Sequence, residues 1–423
     1  NGYTPIDEDC RVLRSTNGTA TNPVFEDYSE GLPALPVERL LAIDSDNDLV
    51  FCATSVGIYY RDNTMSQWEC FSENLPKVQI TGMQYSSCEN VLRVGTYGRG
   101  VWKTDVNLNT TNSNETEITS NTTWSSPRVL RENVVVKMGN TLYINEDTYV
   151  EADKKIIVEK GARLVIQNNA VITSNCNFWE GIEVWGDNTA TQTAANQGMV
   201  TVMSGASIQN AKNAIRVWKP GDWSSMGGIV QATNASFVNN KRDVEFMPYS
   251  GINVGSSQGN ISYFQDCDFK TDDSYMGTTV APHVSMYKVD GVRFTACHFS
   301  DERDVDVSLK NKGIHSLDSK FKVLGKLIAT PSSPVEYYST TYYSPSTFAN
   351  LTHGVWAGNA TTQNAIMVDQ SLFTDCHYGV TLSESDDGVV TRNKFNRTEE
   401  STWFGYQYDI YTNRASGYTI EGN

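Results

Sequence analysis

An all-β chain in two unlike parts is what the sequence predicts. Three observations lead there. Over the first hundred residues, phrases recur at a shift of 42 or 43 positions. From about Val129 they recur in shorter units, with Ser207-Ile208-Gln209-Asn210 returning as Ser236-Phe237-Val238-Asn239, a shift of 29. Throughout, short alternating apolar runs are bounded by Gly or Asn turns, the punctuation of strands.

The first repeat sets "YSEGLP" from Tyr28 against "FSENLP" from Phe71, and Thr54 of "FCATSVGIYY" against Thr96 of "RVGTYGRGVW". Each unit reads as a Leu-Pro turn, an apolar strand, a polar turn, a second strand, then Gly and an aromatic strand. Gly57 and Gly100 fall where the chain needs a tight turn. A period near 40 residues with several short strands signals a propeller blade. Two blades fall short of the roughly four that close a ring. Residues 1–105 are therefore expected to be the C-terminal part of a β-propeller, and the chain a fragment of a larger surface protein. In "DSDND", Asp44, Asp46 and Asp48 are weak candidate metal ligands, since alternating carboxylates can converge on calcium. The Gly and distal Glu of a calcium loop are missing, and a solvated hairpin turn is the favoured reading. Residues 106–128, with little aliphatic periodicity and three glycosylation sequons, read as an exposed polar linker.

These phrases resemble sortilin- and sialidase-like propellers. "IDSDNDLVFCAT" is similar to the turn and strand of that family, and "RDNTMSQWECFSENLP" resembles a degenerate Asp-box containing Asp62 and Trp68. "GTYGRGVWK" is similar to the last blade of propellers in secreted Bacteroidetes proteins.

In residues 129–423 each unit is too short to bury its own apolar face, so stacked units must share a core. Turns of about 25–30 residues with three short strands predict a right-handed parallel β-helix. "FQDCDF" from Phe264, "FTACHF" from Phe294 and "FTDCHYGV" from Phe373 place Cys267, Cys297 and Cys376 at what reads as one repeat position. Without metal-ligand spacing, they are expected to be a ladder of small buried thiols. Cys10, Cys52, Cys70 and Cys88 leave two bridges open among them. Residues 328–350, rich in Tyr and Pro, read as a loop inserted at a corner. "FWEGIEVWGD" and its surroundings resemble the pectin-lyase-like β-helix, and more closely the repeats of large Bacteroidetes surface proteins. That resemblance implies export through type IX secretion.

Chemistry is sparse. The phrases that supply catalytic carboxylates and bases in polygalacturonase-like β-helix enzymes, "GHG" and "RIK" among them, are absent. The acidic pairs Asp272-Asp273 and Asp386-Asp387 read as solvated corners. The five His are scattered, although His298 and His377, each following a ladder Cys, could share a face. Candidate glycan-binding residues are Trp218 and Trp223 in "RVWKPGDW" and Tyr337, Tyr338, Tyr342 and Tyr343 in the inserted loop, because sugar rings stack on aromatic faces. Candidate glycosylation sites are Asn17, Asn109, Asn114, Asn121, Asn234, Asn260, Asn350, Asn359 and Asn396.

A net charge of −16, from 33 basic and 49 acidic residues, argues against nucleic acid, whose phosphates need a basic face. No run of about 20 apolar residues offers a membrane span. The expected function is a non-catalytic, extracellular or cell-surface module, structural or adhesive, with glycan binding as its candidate activity. Its expected partners are other parts of the same long polypeptide, a secretion or surface assembly, and glycans. Calcium is the one cofactor candidate. The alternatives are a carbohydrate-active β-helix enzyme (a polysaccharide lyase or glycoside hydrolase) and a phage-type tailspike. A tailspike should carry a long apolar lateral stripe, and none is visible.

Overall fold

From Glu115 onward the chain visits three sheets in turn and then begins again. The computed structural model describes residues 10–43, 47–72, 74–86, 88–106, 115–249, 259–359, 365–398 and 406–423. The first sheet has 11 strands, from Glu115–Ile118 to Tyr408–Asn413. The second has 11, from Thr122–Trp124 to Thr419–Glu421, and the third has 10, from Arg128–Leu130 to Lys394–Asn396. All pairings within the three sheets are parallel, an arrangement compatible with a parallel β-helix. A single 3-10 turn, Val307–Leu309, is the one helical element among the described residues. The chain forms two compact units, Asn1–Ser113 and Asn114–Asn423.

The stacked core follows from alternation. Every second strand residue points inward, and rung pairing lays like on like. The 29-residue shift is a direct pairing, Ser207 with Ser236 and Ile208 with Phe237. On the third sheet Phe237, Phe269, Phe299, Phe348, Phe373 and Phe395 form one column, with adjacent ring centroids 4.5–5.0 Å apart. Burying each ring contributes roughly 2–3 kcal/mol against the entropy of ordering its turn. Between the second and third sheets the chain turns through single left-handed residues, among them Asn234 (φ 48), Asp266 (φ 52) and Ala296 (φ 50). Asn and Asp tolerate this conformation best.

Two expectations are corrected. The linker does not extend to residue 128, because Glu115–Ile118, Thr122–Trp124 and Arg128–Leu130 already form a rung of the three sheets. That rung is polar outside and sends only Ile118, Trp124 and Leu130 into the core, too few apolar positions to show as periodicity. The inserted loop is likewise shorter than 328–350, since Ser346–Ala349 is a strand of the third sheet.

The cysteine ladder is also smaller than expected. Cys267 and Cys297 sit at the corner between the second and third sheets. Cys376 follows a third-sheet strand, Ser371–Thr374, and sits at the next corner, before the first sheet. The phrase around Phe373 is thus displaced by one face: Phe373 pairs with Phe348 and Phe395, not with the column of Phe264 and Phe294. All three cysteines are buried thiols. Cys52 and Cys70 are thiols as well, so two bridges do not form among the four N-terminal cysteines.

The N-terminal unit pairs Leu13–Arg14 with Glu26–Asp27 and holds two larger antiparallel sheets. One has four strands, Val37–Ala42, Val50–Thr54, Gly57–Arg61 and Glu69–Cys70; the other has three, Ile80–Ser86, Val91–Thr96 and Gly100–Asp105. The sequence repeat is a structural one. Thr54 Oγ1 donates to Gly57 O at 3.0 Å, and Thr96 Oγ1 donates to Gly100 O at 2.7 Å. Gly57 is required there, because a Cβ would meet Ser72 Oγ at 2.4 Å. Trp68 is buried, with Nε1 donating to Tyr28 O at 2.6 Å.

Candidate functional site

The outward face of the first sheet collects the chemistry. One column reads, rung by rung, Glu183, Arg216, Glu245, Ser285, His315, Trp356, Thr381 and Tyr411. Beside it runs a second column of Lys312, His353, Tyr378 and Tyr408. Arg242 stands two residues before the paired Val244, as Lys312 does before Ile314, so it belongs to this second column.

The acidic end of the face is neutralised. Glu183 is 5 % exposed and meets Lys155 Nζ at 2.8 Å, Trp185 Nε1 at 3.0 Å and Arg216 Nη1 at 3.9 Å. Glu245 accepts from Arg216 Nε at 3.2 Å and Trp218 Nε1 at 2.9 Å, and it pairs with Arg242 Nη1. Two rungs, about 10 Å, separate the two carboxylates, with Arg216 between them. A general base needs a lone pair to give, and here cations and indoles take them.

The other end is aromatic. His315 stacks on Trp356 with centroids 4.3 Å apart, and His353 on Tyr378 at 4.6 Å. Rings stacked along the rungs cover one another's faces and turn their edges outward. Burial, then the charges of Lys312 and Arg242, push His315 down to about 4. Burial, then Lys312, push His353 down to about 3. Both are neutral imidazoles at neutral pH. Lys312 is itself lowered by burial.

A cleft of ≈ 470 Å³ opens beside Arg242, lined by Phe178, Lys212, Asn213, Lys241, Arg242 and the Gly277–Thr279 loop. Inside the coil, close to this corner, His283 Nδ1 lies 2.6 Å from Asp243 Oδ2, and Nε2 lies 3.2 Å from Ser300 O. Both side chains are 1 % exposed. The pair has the make-up of a catalytic dyad but is closed to any substrate, and burial raises the Asp243 carboxyl. It organises the corner instead.

Of the residues singled out from sequence, Trp218 and Trp223 come together, 5.8 Å apart on a two-stranded hairpin, Trp218–Lys219 with Asp222–Met226. Trp223 is 59 % exposed. Tyr337, Tyr338 and Tyr342 lie elsewhere, on the loop after the Lys326–Leu327 strand, and Tyr343 pairs with Leu327 in the strand that closes that loop. Gln370 Nε2 and Arg392 Nη1 fasten that loop through Tyr337 O and Val335 O. The two aromatic groups are thus not brought into one platform. Asp44 and Asp46 lie outside the described residues, while Asp48 turns the chain at φ 51. Among the described residues no cluster of three His, Cys, Asp or Glu is placed to hold a metal ion.

Asp272 accepts from Ser274 N, Ser274 Oγ and Asn239 Nδ2, and Asp386 from Ser416 N and Oγ, so both cap corners. His298 lies on the third sheet and His377 just before the first, so they do not share a face. Asn17, Asn121, Asn234 and Asn350 are exposed, Asn359 and Asn396 partly so, and Asn260 is buried. Asn109 and Asn114 are outside the described residues.

The ion-pair column and the cleft were not read from sequence. Their members are 25 to 35 positions apart in the chain, and the one sign of them was the Trp–Glu alternation in "WEGIEVWGD". Comparison with protein-family models, with curated proteins and with solved structures finds no match for this chain.

Proposed function

We propose that this chain is a non-catalytic module of an extracellular or cell-surface protein. In this reading the N-terminal sheets are blades of a β-propeller, and the three parallel sheets form a right-handed β-helix that holds glycans on the outer face of its first sheet. Handedness follows from the rule for parallel crossovers. The observation that carries the reading is the state of Glu183 and Glu245. They are the two carboxylates of the outward column, and cations and indoles occupy both. A glycosidase of this fold needs an acid and a base free to exchange protons.

Next to them stand the groups that binding uses: the exposed Trp223, the Phe178 wall and the cations of the cleft. Individual contacts of this kind are weak, and avidity on a surface strengthens them. Calcium, a secretion assembly and covalent glycans belong to the same proposal as accessories. The test is retention of the whole chain on an array of neutral and acidic glycans, with and without calcium. Retention of a defined glycan set supports the reading, and an array with no retained glycan defeats it.

A further inference from the structure

We infer that the cleft beside Arg242 is an anion site that takes a sulfate ester carried on a saccharide, an assignment that rests on the glycan-binding reading above. The chain carries a net −16, yet three cationic side chains converge on this one cleft. Two of them retain unspent donors. Lys212 is neutralised by Asp153 at 2.9 Å and Glu180 at 2.6 Å. Lys241 is exposed and makes no ion pair among the described residues. Arg242 spends Nη1 on Glu245 and on Asn213 Oδ1, while its Nε is buried without a hydrogen-bond partner. Two rungs further along, Lys312 also makes no ion pair among the described residues.

The shape of the donor set selects the anion. A planar carboxylate is best matched by the two-pronged edge of a guanidinium. Arg242 cannot offer either such edge to the cleft, because Glu245 and Asn213 hold its Nη1 and its Nε is buried. What remains is Nη2 of Arg242, the ammonium of Lys241 and the hydroxyls of Thr278 and Thr279, donors on separate side chains. Three acceptor oxygens spread over a cone, as on a sulfate ester, match donors arranged in that way. The Phe178 ring, 5.3 Å from Tyr275, supplies an apolar wall for the C–H face of a sugar. Gly277 permits the wall, since a Cβ there would lie 2.9 Å from the Phe178 ring. The protein's overall negative charge does not forbid the site, because beyond about 8 Å it is screened at physiological ionic strength.

Three probes with one backbone separate the outcomes: neutral dextran, carboxymethyl dextran and dextran sulfate of matched length and charge density. Binding is measured by calorimetry to the whole chain, to Lys241→Gln and to Lys322→Gln. Lys322 is exposed on the second sheet and controls for charge alone. The expected result is dextran sulfate binding about tenfold tighter than carboxymethyl dextran, weakened about tenfold by Lys241→Gln and unchanged by Lys322→Gln. Equal affinity for the two anionic dextrans overturns the sulfate assignment, as does an equal loss in both variants. Glycans retained on the array but insensitive to Lys241→Gln would overturn the site and leave the glycan-binding reading standing. No binding to any glycan would defeat that reading itself.

Discussion

Arg216 serves two carboxylates at once, and its removal leaves both Glu183 and Glu245 short of a cation on a mostly buried face. Arg216→Met is expected to cost about 3 kcal/mol, read as a lower denaturant midpoint with an unchanged slope. The neighbouring imidazoles make stability depend on pH. His315 and His353 titrate near 4 and 3 in the folded chain, against an ordinary value near 6.5. As pH falls below about 6.5 the unfolded chain takes up these protons first, so stability declines through that window and levels off below about 3. His315→Gln should flatten the upper part of the decline in thermal unfolding followed from pH 7 to pH 4. Thiol reactivity follows from burial in the same way. Burial pushes Cys376 up to about 12 and raises Cys297 well above the usual range. Cys267, Cys297 and Cys376 should resist alkylation in the native chain and react fully in urea, as counted by mass spectrometry.

Each strand of the coil is stabilised by its neighbours in the stack, so damage to one rung should spread to the next. Phe299 touches rings on both sides of its column, and Phe299→Ala should cost about 3–5 kcal/mol through the cavity it leaves. Gly181 is the sharper case. It sits at φ +101 where the strand pairing slips, and a Cβ would lie on Asn213 O. Gly181→Ala should therefore lower the melting temperature and also misplace Glu183 and Trp185, with indole fluorescence reporting the displacement of Trp185.

The pairing of Ile208 with Phe237 was legible in the sequence, because stacked turns repeat the same residue types at a readable shift. The displacement of Cys376 was not, because "Phe-x-x-Cys" looks alike at two different corners, and only pairing tells which sheet a Phe belongs to. The rung at 115–130 was missed because it contributes just three core side chains. The Trp218–Trp223 pair was visible in "RVWKPGDW" as a candidate aromatic platform, and the hairpin that joins them was not. The cleft was not, since it is assembled from rungs distant in the chain.

The stacked parallel sheets carry a face whose acids are occupied and whose cations are partly free. Such a face should hold glycans without cutting them. The most direct test incubates the chain with the glycans it retains and follows their length by mass spectrometry, beside a Glu245→Gln variant. Glycan lengths should stay constant with both proteins. Shortened products with the unaltered chain, abolished by Glu245→Gln, would contradict this.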